Sequence, residues 1–146
     1  MKIETKYLGE IEVSEEQVIT FPHGIPGFHE FKKFVLLEIP ETPPFMVLQS
    51  VEESYVAFVV VNPYVFRKDY EFNLNESAQE LLEVDSETDL KIFSILSLKD
   101  PFASSTINLQ APIIINAKKK IGKQYITNSK SFSTKEPITS SAVKEG

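Results

Sequence analysis

The sequence of 146 residues contains no cysteine and no tryptophan, and it has two histidines, His23 and His29. Without cysteine the chain cannot form a disulfide framework, a thiolate metal site or a thiol nucleophile, and it suits a reducing compartment. Two histidines cannot build a histidine-rich metal centre, and they leave two candidates for histidine acid–base chemistry. We expect neither a metal site nor another cofactor.

Long apolar runs are also lacking. No run of about 18 apolar residues is present that could span a membrane as a helix. The first residues alternate between polar and apolar types, without the apolar stretch of a secretion signal. We therefore expect a cytoplasmic protein that makes no membrane contact. The length and the 42% content of hydrophobic residues predict one folded domain with a core.

Basic residues are missing from residues 69–89, where the chain carries eight acids: Asp69, Glu71, Glu76, Glu80, Glu83, Asp85, Glu87 and Asp89. Residues 1–100 hold 8 Lys or Arg against 19 Asp or Glu, whereas residues 101–146 hold 7 against 2. An acidic surface repels phosphate backbones and attracts basic proteins, although it can also serve only to keep a small protein soluble. The three lysines at 118–120 lie in a strand-like segment and are interpreted as protection of a strand edge. Direct binding of nucleic acid is not expected.

The hydrophobic pattern is mainly that of short β-strands. Period-two alternation and runs of β-branched and aromatic residues predict nine or ten strands. These are residues 2–7, 11–13, 17–21, 34–39, 45–49, 55–61, 90–98, 106–110, 112–116 and 119–127. So many short strands favour a small, mainly all-β fold, an antiparallel β-barrel-like domain or a sandwich.

One short α-helix is predicted after Asn75, a residue type that caps helix N-termini. Ala78, Leu81 and Leu82 form an apolar stripe that would pack on the sheet, while the acidic face would point to water or to a partner. Residues 128–146 are rich in Ser, Thr and Lys, which is typical of a mobile C-terminal tail. The predicted organisation is a barrel domain at 1–127 and a flexible tail at 128–146.

The loop at residues 22–28 contains two prolines and two glycines, which predicts a rigid turn with glycines at positive φ. Such a loop could present Ile25 and Phe28 to a partner, or it could only turn the chain and bury Phe28. It is not a phosphate loop, because no Gly-Lys-Ser/Thr sequence and no helix follow it. His23, His29 and Glu30 could form a small site, but their spacing matches no known ligand set and favours surface residues.

Several motifs together resemble those of the FliW family of flagellar assembly factors. They comprise Gly9-Glu10, the Gly-Ile-Pro-Gly-Phe run at 24–28 within residues 19–28, residues 34–37, residues 44–50, Val61-Asn62-Pro63, and residues 103–116 with Asn-Leu-Gln-Ala-Pro at 108–112. The resemblance spans about residues 1–127, and the combination of the two longest runs is more specific than either alone. The remaining C-terminal residues add nothing to it.

The resemblance implies a protein-binding regulator that is not an enzyme. Members of the family bind flagellin and antagonise CsrA, a dimeric RNA-binding repressor, beside its RNA site, which relieves repression of flagellin synthesis. We expect a monomer when no partner is bound. The candidate contacts are the acidic face, with Glu76, Glu80, Glu83, Asp85, Glu87 and Asp89, and the loop residues Ile25 and Phe28.

Two other functions remain open. The protein could be a flagellin-specific chaperone without a role in translation. It could also be a small-ligand-binding barrel, or an enzyme that uses His23, His29 and Glu30.

Overall fold

The computed structural model describes residues 1–85, 90–129 and 131–138. This part of the chain forms eleven strands and one α-helix, as the sequence pattern predicts for a mainly β protein. The strands are β1 Lys2–Glu4, β2 Glu10–Glu12, β3 Ile19–Thr20, β4 Lys33–Glu38, β5 Met46–Ser50, β6 Ala57–Val61, β7 Leu90–Ser97, β8 Thr106–Ile107, β9 Ile113–Asn116, β10 Ile121–Gln124 and β11 Glu136–Pro137. The helix α1 is Glu76–Leu81, and 3₁₀ turns form at Glu15–Gln17, Pro63–Val65 and Phe102–Ser104.

Seven of these strands close into a barrel in the order β3-β4-β5-β6-β7-β9-β10, with β10 returning to β3. Strand β7 closes the ring because it pairs with β6 through Val60 and Ile95 and with β9 through Phe93 and Ile113. The β10–β3 pairing is parallel, whereas its neighbours in the ring are antiparallel. Closure satisfies backbone groups that an open sheet would expose at its edges, and it confirms the predicted barrel-like fold.

The barrel interior is filled by apolar side chains from six of its seven strands, and β10 contributes Gly122. Phe21 and Phe34 are fully buried, and their rings meet edge to face with centroids 5.3 Å apart. Gly122 on β10 faces this pair so closely that a Cβ there would lie 2.5 Å from the Phe21 ring. The same cluster includes Ile19, Ile25, Leu48, Val56, Val60, Phe93, Ile113 and Ile115. The interior of the barrel is therefore a packed apolar core.

The hairpin of β1 and β2 covers the outer face of β4 and β5. Ile3 and Val13 pack there with Val35, Leu37 and Val47 in a second apolar cluster. On another side of the ring, α1 covers β9, because Ala78 and Leu82 pack on Ile114. The hairpin and the helix thus lie against different walls of the barrel.

The Asn-Leu-Gln-Ala-Pro run at 108–112 forms the break between β8 and β9, which both pair with β7. The Asn108 side chain accepts a hydrogen bond from the Ala111 amide at 2.9 Å, and the Leu109 carbonyl accepts one from the Tyr70 hydroxyl at 2.6 Å. Along β7, Leu96 pairs with Ile107 of β8, whereas Phe93 pairs with Ile113 of β9. Between these two pairs, the segment that joins β8 and β9 therefore has more residues than β7 has. This motif therefore shapes the barrel wall, as β-bulges do.

The packed structure continues past the predicted domain boundary at residue 127. Strand β11 pairs with β8, Ile138 is buried, and the Phe132 ring lies 4.8 Å from the Tyr70 ring. Residues 131–138 therefore lie on the barrel. Phe132 and Ile138 contribute to holding this polar stretch in place, because both enter an existing apolar cluster. The division into a domain at 1–127 and a flexible tail at 128–146 stays a prediction. Residues 139–146 lie outside the described part.

Candidate partner-binding surface

Four of the six acidic residues predicted as a binding face lie on α1 or directly after it. Glu76, Glu80, Glu83 and Asp85 are all exposed. They are exposed because the helix turns its apolar stripe inward, with Ala78 and Leu82 buried as predicted. The Asn75 side chain caps the helix by accepting a hydrogen bond from the Ala78 amide at 2.8 Å. We name these four carboxylates the acidic surface; the other two predicted members, Glu87 and Asp89, lie outside the described residues.

A basic turn borders the acidic surface. Lys118, Lys119 and Lys120 form the β9–β10 turn, and β10 begins only at Ile121, so the prediction of a strand from residue 119 was wrong at its start. Lys119 Nζ lies 3.8 Å from Glu83 Oε1. Both side chains are about half exposed, so this pair contributes little to stability. The pair shows that the basic turn lies directly beside the acidic surface.

The buried side chain of Asn116 holds the turn and the helix together. Its amide nitrogen donates to the Leu82 carbonyl at 2.7 Å, while its oxygen accepts from the Lys118 and Lys119 amides at 3.2 and 3.1 Å. No sequence pattern indicated the contact between Asn116 and Leu82, since the two residues lie more than 30 positions apart. The acidic surface is thus fixed to the barrel wall by a buried polar network.

A groove of about 280 Å³ lies between α1 and β7, and we call it the α1 groove. Leu90 and Ile92 of β7 contribute to its lining together with Ile114, and the residues before the helix complete it. Its described lining is Tyr64, Glu71, Phe72, Asn73, Leu74, Gln79, Val84, Leu90, Ile92 and Ile114. Sequence reasoning did not identify this groove, because its walls come from separate segments that only the fold brings together.

Tyr64 and Glu71 are the ionisable side chains among the described residues that line the α1 groove. Burial, and secondly the negative charge of Glu71, raise the pKa of the Tyr64 hydroxyl. Both causes act in the same direction, because burial and a neighbouring negative charge each disfavour the charged phenolate. Tyr64 therefore stays protonated and can donate a hydrogen bond at neutral pH.

The loop at residues 22–28 is packed against the barrel. Ile25 is 2% exposed and belongs to the core, so its side chain is not available to a partner in this conformation. Phe28 is half-buried and meets the Phe58 ring edge to face at 5.3 Å. Gly24 and Gly27 have positive φ values, as the composition predicts. A docking role for Phe28 stays a prediction for the exposed part of its ring.

The two histidines are close in space but form no larger cluster. His29 Nδ1 lies 3.1 Å from the backbone oxygen of His23, and both residues are exposed. Within residues 1–85, 90–129 and 131–138, no group of three or more His, Asp or Glu residues is placed to hold a metal ion. Over the same residues, no helix has the length and apolar character needed to cross a membrane.

The fold and this surface define a small closed β-barrel protein whose exposed features include a charged face and a groove. A family model described as FliW protein matches residues 2–138. The flagellar assembly factor FliW of Oceanobacillus iheyensis is 47% identical over 146 residues, covering 100% of this chain and 99% of the relative. That of Bacillus subtilis is 49% identical over 138 residues, covering 94% and 96%.

A solved structure described as the crystal structure of the flagellar assembly factor FliW has the same fold. It superposes with a TM-score of 0.89 at 41% identity, covering 94% of this chain and 96% of that one. The chain belongs to the FliW family, and it is a flagellar assembly factor and not an enzyme. The resemblance predicted from the motifs is confirmed.

Proposed function

We propose that this protein controls flagellin synthesis in the cytoplasm by binding two proteins, flagellin and the RNA-binding repressor CsrA. Membership of the FliW family supports the assignment to flagellar assembly. The observation that carries the choice of a basic partner is the acidic surface, which exposes four carboxylates on and after α1. A repressor that grips RNA phosphates is basic where it does so, and an acidic face complements it.

The regulation follows from exchange between the two partners. When flagellin accumulates, it occupies this protein and leaves CsrA free to repress the flagellin transcript. When flagellin is exported, the protein is released and binds CsrA, so repression is lifted. Negative charge placed beside the RNA site of CsrA also repels RNA, because both carry the same sign. The free protein acts as a monomer in this scheme.

A retention experiment tests the proposal. The purified protein is immobilised and exposed to lysate of a flagellated bacterium, and flagellin and CsrA are both scored by immunoblot. The proposal predicts that both are retained, and that added purified flagellin changes the amount of CsrA retained. Retention of flagellin alone would favour a chaperone without a translational role. Retention of neither would refute the proposal.

A further inference from the structure

The α1 groove combines an apolar lining with a single charged group. Leu74, Val84, Leu90 and Ile92 are half-buried in its walls, and fully buried Ile114 contributes to the lining. Of the ten described residues that line the groove, Glu71 alone is acidic and none is basic. An elongated side chain with an apolar stem and a positive end fits such a site, because each part meets its complement.

Aromatic rings form one side of the groove. Tyr64 and Phe72 both line it, and each packs on Tyr70 with ring centroids 5.7 and 5.4 Å away. Phe72 also stacks on Tyr125 at 6.0 Å and an interplanar angle of 29°. The rings are thus held in place before any partner arrives. The face of an aromatic ring attracts a cation within about 6 Å of its centre.

The surroundings of the groove strengthen the preference for a cation. Glu80, Glu83 and Asp85 extend the negative charge along the exposed side of α1 and the residues after it. Among the described residues, Lys119 is a base in contact with these carboxylates, since it lies against Glu83. A positively charged partner is therefore drawn toward the helix and then meets the groove beside it.

We propose that the α1 groove receives one arginine side chain of the basic partner protein. The guanidinium pairs with the Glu71 carboxylate and lies against the Tyr64 and Phe72 rings, while its aliphatic stem covers Leu74 and Val84. Arginine fits better than lysine because its planar group donates two parallel hydrogen bonds to a carboxylate and stacks on aromatic faces. This inference rests on the proposed function, since that function supplies the partner, CsrA.

The test compares two single-charge variants of the full chain in binding purified CsrA by calorimetry. Glu71→Gln removes the charge in the groove and keeps the size of the side chain. Glu10→Gln makes the same change on β2, which lies on a different wall of the barrel. We expect Glu71→Gln to weaken binding about tenfold, as loss of one charge-assisted pair does, and Glu10→Gln to change it less than about twofold. Both residues are exposed, so neither change should alter the thermal unfolding midpoint.

A second variant tests the aromatic contact. Tyr64→Leu keeps an apolar side chain but removes the ring, and it should weaken CsrA binding about fivefold at unchanged folding, as judged by circular dichroism. Equal affinities of the wild type and Glu71→Gln would overturn the inference, and so would equal losses from Glu71→Gln and Glu10→Gln. If the wild type itself fails to bind CsrA, the proposed function fails first, and that outcome is distinct from binding that ignores the groove.

Discussion

At the scale of single residues, Gly24 decides the path of the loop at 22–28. Its φ is +66°, and a Cβ there would lie 2.7 Å from the Cα and the carbonyl oxygen of His29. Gly27 has a φ of +88° but meets nothing within 4 Å. A side chain at Gly27 would cause backbone strain alone, whereas a side chain at Gly24 would cause both backbone strain and a steric clash. Substitutions at the two positions therefore distinguish the two effects.

We predict that Gly24→Ala lowers the free energy of unfolding by about 3 kcal/mol, since the added methyl group meets immobile backbone. Gly27→Ala is the matched control and should cost about 1 kcal/mol, the strain alone. Urea unfolding followed by circular dichroism measures both. Equal losses for the two variants would show that the contact with His29 gives way without cost.

The Tyr70 hydroxyl makes the stability of the fold depend on pH in the alkaline range. Burial, and secondly the neighbouring Tyr64, raise the pKa of the Tyr70 hydroxyl above its ordinary value. The hydroxyl donates to the Leu109 carbonyl at 2.6 Å, a bond that only the protonated form makes. A raised pKa stabilises the fold fully below the unfolded-state pKa of about 10, and the contribution is lost as the pH rises toward the folded-state value.

We predict that the free energy of unfolding falls as the pH rises above about 10, with Tyr70 contributing up to about 1.4 kcal/mol per pH unit. Tyr70→Phe should be about 1 kcal/mol less stable at pH 8 but should show a shallower decline from pH 10 to 11. Urea unfolding at pH 8, 9, 10 and 11 compares the two proteins. Parallel curves would contradict the assignment of this slope to Tyr70.

Composition predicted the loop better than it predicted what the loop does. Two glycines among prolines indicate positive φ, and both glycines have it. Whether Ile25 points outward or inward depends on where the barrel lies, which no local pattern contains. The sequence left both roles open, and burial of Ile25 in the core leaves only Phe28 with an exposed part.

At the scale of elements, α1 depends on contacts far away in sequence. The Tyr125 hydroxyl donates to the Asn73 carbonyl at 2.9 Å and accepts from the Asn75 amide at 3.0 Å. This one group fixes the start of a six-residue helix that is too short to be stable alone. The helix itself was predictable from its Asn75 cap and apolar stripe, whereas its anchor 50 residues later was not.

We predict that Tyr125→Phe lowers the free energy of unfolding by about 2 kcal/mol, because two backbone groups beside the helix lose their partner. Tyr55→Phe serves as the control, since Tyr55 is 64% exposed, and its loss should stay below about 0.5 kcal/mol. Amide hydrogen exchange should also rise in residues 76–81 of the Tyr125 variant. Unchanged exchange there would mean that α1 is held by packing alone.

Strand β11 shows how a polar composition can hide a packed element. Residues 128–138 contain few large apolar side chains, and these enter the cluster around Tyr70 and Ile107. The Arg67 guanidinium donates a hydrogen bond to the Glu136 carboxylate at 3.2 Å and another to the Pro137 carbonyl at 2.8 Å. Average composition measures how much apolar surface a segment has, not whether a site exists to bury it.

We predict that Ile138→Ala lowers the free energy of unfolding by about 3 kcal/mol, as is usual for a buried isoleucine. Leu98→Ala is the control, because Leu98 is 50% exposed and should lose less than about 1 kcal/mol. Thermal unfolding of the full chain reports both changes. A loss for Ile138→Ala no greater than that of the control would mean that the C-terminal strand is not part of the cooperative unit.

At the scale of the whole molecule, alternation predicted the strands but not the way they close. The interior positions of the barrel recur at period two, which the sequence shows directly. The parallel pair of β10 and β3 depends on residues 101 positions apart, Thr20 and Ile121, and departs from the antiparallel expectation. The uneven distribution of charge was equally visible in the sequence, but the contact between Lys119 and Glu83 was not.

Two charge-reversal variants distinguish the effect of where negative charge lies on the surface from the effect of the total net charge. Charge reversal of Glu80, Glu83 and Asp85 to lysine should slow association with CsrA about tenfold at low salt, because steering acts within a Debye length. Reversal of Glu4, Glu10 and Glu15 to lysine changes the net charge equally, on exposed residues near the N-terminus, and should slow association less than threefold. Stopped-flow measurements at 50 and 300 mM salt should show the first effect shrinking with salt. Since Asp85 and Glu83 have contacts of their own, thermal unfolding must first show both triple variants folded. Identical association rates for the two variants would leave net charge, and not the acidic surface, as the physical basis of partner attraction.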